Sequence, residues 1–124
     1  MITLKTQAAI AVLDDIYTGE GTARTDECEL SGEEKYSLLS KLALAGLIRL
    51  TDKKHPQDIR SYTPTRESVE VSLLDILEAT GEHLNCNHPT TEEFYIRYSN
   101  AAKKLGVVNQ ITRTYLKEIK LLDL

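Results

Sequence analysis

Between Ser31 and Thr65 the chain reads SGEEKYSLLSKLALAGLIRLTDKKHPQDIRSYTPT, and the order of local signals leaves it little freedom. Ser31 followed three residues later by Glu34 is a capping-box signature, in which each side chain can satisfy a backbone N–H that a helix start leaves unpaired. Leu38, Leu39, Leu42 and Ala45 then recur at helical spacing and make one apolar face. Gly46 stops the helix because glycine enters the left-handed conformation without a Cβ clash, and Leu47 can fold back over the last turn. Residues 47–51 and 59–63 read as strands, separated by DKKHPQD, a charged turn with nothing apolar to bury. Pro64 ends the second strand for want of an N–H. Helix, glycine and hairpin in that order make a winged helix-turn-helix.

The flanking segments fit that frame. Residues 2–18 place Leu4, Ala8, Ala11, Val12 and Ile16 along one helical face, with Gly19 and Gly21 ending the run. The adjacent acids Asp14 and Asp15 read as a solvated face of this helix. Residues 20–30, EGTARTDECEL, are polar and offer only Ala23, Cys28 and Leu30 as apolar anchors, so a short or degenerate second helix is expected. Ser72 with Asp75 repeats the capping logic and opens a short helix, SLLDILEAT, closed by Gly81.

The tail carries the clearest periodicity. Phe94, Tyr98, Ala101, Leu105, Val108, Thr112, Tyr115, Ile119 and Leu122 alternate at spacings of four and three. That is a heptad seam with one polar position, at Thr112, on a helix that Thr90 and Glu93 can cap. Gly106 inside it costs ~1 kcal/mol relative to alanine and marks a place where the helix can break. Such a stripe can be covered by a second copy of the chain, using Phe94, Tyr98, Leu105, Val108, Tyr115, Ile119 and Leu122, or by packing back on the first helix. The homodimer is the expectation.

The stretches LLSKLALAGLI (Leu38 to Ile48), SYTPTRESVEVSLLDILEATGEHLNC (Ser61 to Cys86) and the closing KEIKLLDL resemble the Rrf-two (BadM-type) family of bacterial winged-helix transcription regulators. The resemblance implies a homodimer held by a long C-terminal helix, and operator binding through a recognition helix and wing. It also implies control, in many members, by an iron–sulfur cluster or a small metabolite. Here the wing lacks the family's Arg-Gly and Gly-Gly-Tyr glycines and is several residues longer. Glu34-Lys35 stands where the family has Tyr-Leu, and of the three cluster cysteines only Cys86 is present.

Charge divides the chain. From Arg49 to Arg66, Arg49, Lys53, Lys54, Arg60 and Arg66 outnumber Asp52 and Asp58, whereas from Glu20 to Glu34 six acids face Arg24 alone. The wing is the basic element and the approach to the recognition helix is acidic, in a chain whose net charge is −4. Lys53, Lys54, His55 and Arg60 are the candidates for phosphate contact; Ser31, Lys35, Ser37, Ser40 and Lys41 are the candidates on the helix, Lys41 being able to pair with guanine.

Other chemistries have less to stand on. His83, Cys86 and His88 in HLNCNH are three candidate metal ligands, but a protein-held iron–sulfur cluster needs four, so no cofactor is expected. There is no glycine-rich phosphate loop, nucleophile elbow or framed carboxylate pair, and no enzyme activity is expected. No run approaches the ~20 apolar residues of a membrane span. The two cysteines, Cys28 and Cys86, fit a reducing compartment, so the cytoplasm is expected.

The expected architecture is mainly α with a small β-hairpin wing: a winged helix-turn-helix over residues 1–81, then a loop and C-terminal dimerisation helix over 82–124. The expected function is a homodimeric transcription regulator, read as a repressor, binding double-stranded DNA at a pseudo-palindromic operator, with any small-molecule effector unspecified. The alternative is a degenerate winged helix serving as a protein-interaction module without DNA binding.

Overall fold

A computed structural model of the chain describes residues 3–19, 21–81 and 96–124. Helix α1 (Leu4–Thr18) starts where the Thr3 hydroxyl accepts the Thr6 N–H, and stops at Gly19 in the left-handed conformation. It is the central element: Ala9, Val12 and Leu13 are fully enclosed, and α1 packs on the second, third and fourth helices and on the second strand of the hairpin with the turn that precedes it. The expected single apolar face is therefore too narrow a description, because α1 is buried on most sides. Among its apolar residues Leu4 is the exposed one, overhanging the first turn at 82% exposure.

The expected short second helix is α2 (Ala23–Asp26), one turn long, with no side-chain cap of its own. Its N-terminal N–H groups are met from α1 instead. The Asp15 carboxylate accepts the backbone N–H of Arg24 at 3.2 Å and of Thr25 at 2.7 Å, and the Thr25 hydroxyl at 2.6 Å. Asp15 is only 3% exposed, so the reading of Asp14-Asp15 as a solvated face holds for neither residue: Asp14 pairs with Arg24 at 3.2 Å. A buried carboxylate needs such donors, and α2, polar as it is, supplies them.

Helix α3 (Gly32–Leu44) begins at Ser31, whose hydroxyl accepts the Glu34 N–H at 3.1 Å. At its end the Leu47 N–H reaches back to the Leu42 carbonyl and the Gly46 N–H to Ala43, the paired bonds of a Schellman stop, with Gly46 at φ +80°. Leu47 is buried over the last turn, and the Tyr17 hydroxyl donates to its carbonyl at 2.6 Å, fastening α1 to the start of the hairpin.

The hairpin pairs β1 (Ile48–Leu50) with β2 (Tyr62–Pro64) antiparallel, Leu50 opposite Tyr62 and Ile48 opposite Pro64. The second strand is shorter than expected. Ile59–Ser61 is a 3-10 turn, because the Asp58 side chain accepts the Arg60 N–H and its carbonyl the Ser61 N–H, both at 3.0 Å, drawing Ile59 into the core. The long connection is ordered by its own bonds. Asp52 accepts the Lys54 N–H at 3.0 Å, and the Tyr62 hydroxyl donates to the Pro56 carbonyl at 2.8 Å.

Helix α4 (Leu73–Thr80) carries both halves of the Ser72–Asp75 capping box and ends at Gly81, φ +78°. Helix α5 (Ser99–Glu118) runs unbroken through Gly106 and lies on α4, where Leu116 joins Leu73, Leu74 and Leu77 in a cluster against which Ile10 of α1 packs. Arg113 bonds Glu78 at 2.9 Å across the same contact. Beyond α5 the chain zips onto residues 71–73: Leu73 N–H donates to Ile119 and Leu121 N–H to Val71, both at 2.7 Å, placing Leu121 in the main core. The architecture is mainly helical with one small antiparallel hairpin. Among the described residues no helix is long and apolar enough to cross a membrane.

Candidate nucleic-acid interface

Helix α3 turns Leu38, Leu39 and Leu42 inward, which leaves Glu33, Tyr36, Ser37, Ser40 and Leu44 facing solvent. Ser40 is on the outer face, and Ser37, also exposed, borders the groove between α3 and α1. Ser31 is exposed, but its hydroxyl already serves as the helix cap.

The two lysines of α3 go to different flanks. Lys35 lines a cleft of about 290 Å³ with Thr22, His55, Gln57, Asp58 and Ile59. This cleft joins the lead-in to α2, the first turns of α3 and the hairpin connection, so the structure brings Lys35 and His55 together from positions twenty residues apart in sequence. Lys41 lies instead on the flank facing α1, beside Lys5. Lys53, Lys54 and Arg60 are exposed along the hairpin connection, and Arg49 is exposed on β1. The hairpin connection meets α3 at the Lys35–His55 cleft, whereas Lys41, with Ser37, lines the groove toward α1.

Sequence reasoning passed over Tyr36. It is 47% exposed on the outer face of α3, beside Tyr62, whose phenol is raised above its ordinary range by burial first and by Tyr36 second. Its signal was the spacing: Tyr36 falls three residues after Glu33 and four before Ser40, on the polar rather than the leucine side. Thr22 and Gln57 were also passed over, because nothing local marks a residue that meets its partners only through the fold.

Glu33 and Glu34 are exposed in the first turn of α3. There they favour the positive end of the helix dipole and stabilise the helix, while opposing the approach of a phosphate. The leading end of α3 is the least hospitable part of the helix to a polyanion.

The seam of the C-terminal helix points outward. Tyr98, Leu105, Val108, Tyr115, Ile119 and Leu122 are exposed, and Val107 and Ile111 widen the apolar strip. The face turned toward the rest of the chain is a second series, Ala102 and Leu116 buried with Gly106, Asn109 and Arg113 half-buried between them, also spaced four and three. Intramolecular packing therefore takes place chiefly on α4 and on a different face from the seam. Phe94, the Thr90–Glu93 cap and the candidate metal ligands His83, Cys86 and His88 lie outside the described residues. Among the described residues no group of three or more His, Cys, Asp or Glu side chains could hold a metal ion.

Comparison of the chain with protein-family models, with curated proteins and with solved structures found no match in any of the three.

Proposed function

We propose that the chain is a homodimeric, winged-helix transcription regulator of the Rrf-two (BadM-type) kind, a repressor that binds a pseudo-palindromic operator. The observation that carries the reading is the meeting of α3 and the hairpin connection at the cleft that Lys35 shares with His55, with Tyr36 and Ser40 exposed on α3 and Lys53, Lys54 and Arg60 exposed on the hairpin connection. Phosphate contacts from the hairpin would position the protein, and the outer face of α3 would read base edges. The outward seam of α5 would pair with a second copy, since a strip of exposed leucine, valine, isoleucine and tyrosine at heptad spacing is the surface a coiled-coil-like dimer buries. Two-fold symmetry then requires half-sites about one helical turn, ~34–36 Å, or a multiple apart.

Fluorescence anisotropy with mixed duplex fragments at several salt concentrations tests this. Each lost phosphate contact reduces the slope of log affinity against log salt by about 0.9, so the double variant Lys53→Gln/Lys54→Gln should flatten it by roughly 2. Absence of any salt-dependent binding at low salt, or an unchanged slope in the variant, refutes the reading. The exposed Glu33 and Glu34 favour one other reading, a winged helix whose acidic α2–α3 surface docks another protein. Partner binding without salt-sensitive DNA affinity would select it.

A further inference from the structure

A groove of about 770 Å³ opens between the start of α1 and the flank of α3 that carries Lys41. Its apolar lining comes from Leu30 and Leu38, with Leu4 overhanging it at the first turn of α1. The charges in it are segregated. Lys5 and Lys41 stand side by side; contact with the Lys5 amine, with partial burial and the Lys5 charge adding, holds the Lys41 ammonium below its ordinary range. Glu34 lies on the same flank of α3 two helical turns earlier, about 10 Å along the axis from Lys41. Glu33, adjacent to Glu34 in the chain, and Glu27 also line the groove. Among the described residues, neither lysine has a carboxylate partner and Glu34 has no cationic one.

Two adjacent ammonium groups repel one another and gain from an anion placed between them, while an unneutralised carboxylate cluster gains from a cation. An apolar surface between the two ends gains from being covered. An anion alone would satisfy one end and be repelled by the other, and a cation alone would do the reverse. We propose that this groove binds a zwitterionic small molecule, its carboxylate between Lys5 and Lys41, its apolar body on Leu4, Leu30 and Leu38, and its ammonium end at Glu34. A linear ω-amino carboxylate has this chemistry. The binding is a property of the α1–α3 groove and requires no nucleic acid, so its test stands apart from that of the DNA-binding reading.

The probe is 8-aminooctanoate, with octanoate and octylamine as single-ended comparators, titrated into the full chain and followed by amide chemical shifts. The zwitterion should shift the amides of Leu30, Leu38 and Lys41 and bind about fivefold more tightly than either comparator, the factor that one partly exposed ion pair supplies. Lys5→Gln/Lys41→Gln should abolish its advantage over octylamine, and Glu34→Gln its advantage over octanoate. All three positions lie at the surface, and retained spectral dispersion checks that the variants fold. Equal affinity for octanoate and the zwitterion, shifts confined to the outer face of α5, or variants that keep the full advantage would each overturn the proposal.

Discussion

Replacing Asp15 with alanine tests how the second helix is held. Asp15 lies on α1, 3% exposed, and its two oxygens take three donors from α2 at 3.2, 2.7 and 2.6 Å. Thr25, which supplies two of them, is 1% exposed, so its N–H and hydroxyl have little access to water once the carboxylate is gone. A buried donor left unmade costs about 1–3 kcal/mol, and hydrogen bonds to a charged group lie in the upper part of that range. The carboxylate's own desolvation is recovered and the Thr25 hydroxyl can rotate, which together offset part of the loss. The expected net effect is about 3 kcal/mol, a large share of the roughly 5–15 kcal/mol that holds a domain together.

Urea unfolding followed by far-ultraviolet circular dichroism measures it, and the thermal midpoint should fall by roughly 10 °C. Asp15→Asn, which keeps the shape but turns one acceptor into a donor, should lose nearly as much. Thr25→Val removes only the hydroxyl bond and should cost about 1 kcal/mol, and the double variant Asp15→Ala/Thr25→Val should cost less than the sum because the two share that bond. A loss below about 1 kcal/mol for Asp15→Ala would show that α2 does not depend on this carboxylate, and strict additivity would show that the Thr25 hydroxyl bond to it contributes nothing. Native-state exchange of the Arg24 and Thr25 amides adds a local readout, since both should lose protection before the α3 amides do.

Two further changes separate packing from surface. Leu105→Glu/Tyr115→Glu alters side chains that are 48% and 65% exposed in the single chain, so folding stability should move by no more than about 0.5 kcal/mol while, under the proposed dimer, sedimentation shifts to that of a monomer. An unchanged sedimentation coefficient removes the seam from that role. Point variants serve here better than a chain cut after Gly81, which would also lose Leu116 and Leu121 from the interior. Thr63→Val replaces a hydroxyl that is buried with no hydrogen-bond partner among the described residues; stability should rise by about 1 kcal/mol, and a loss in urea unfolding would show that the hydroxyl has a partner after all.

The sequence by itself determined the elements whose causes lie within a few residues. Ser31 and Ser72 cap their helices, Gly46 and Gly81 stop them, and Leu47 folds over the last turn of α3, because caps and stops are bonds between residues two to five apart. The charge contrast between the hairpin and the lead-in to α3 was legible for the same reason. Where two local preferences competed, the reading erred by a few positions: Asp58 turned Ile59–Ser61 into a 3-10 turn before the strand could begin. Only the tertiary structure decided what depends on distant partners. Asp15 became an anchor because α2 was folded over it, and Lys35 met His55 because the hairpin connection returned to α3. On α5, periodicity marked one face, and it was the packing of Ala102 and Leu116 that turned a different, unmarked series toward the rest of the chain and left the marked one outside. A heptad pattern reports that a face is apolar, not which surface covers it. That depends on the shape of the remaining core, to which α4 contributed a short leucine face and the chain end contributed Leu121.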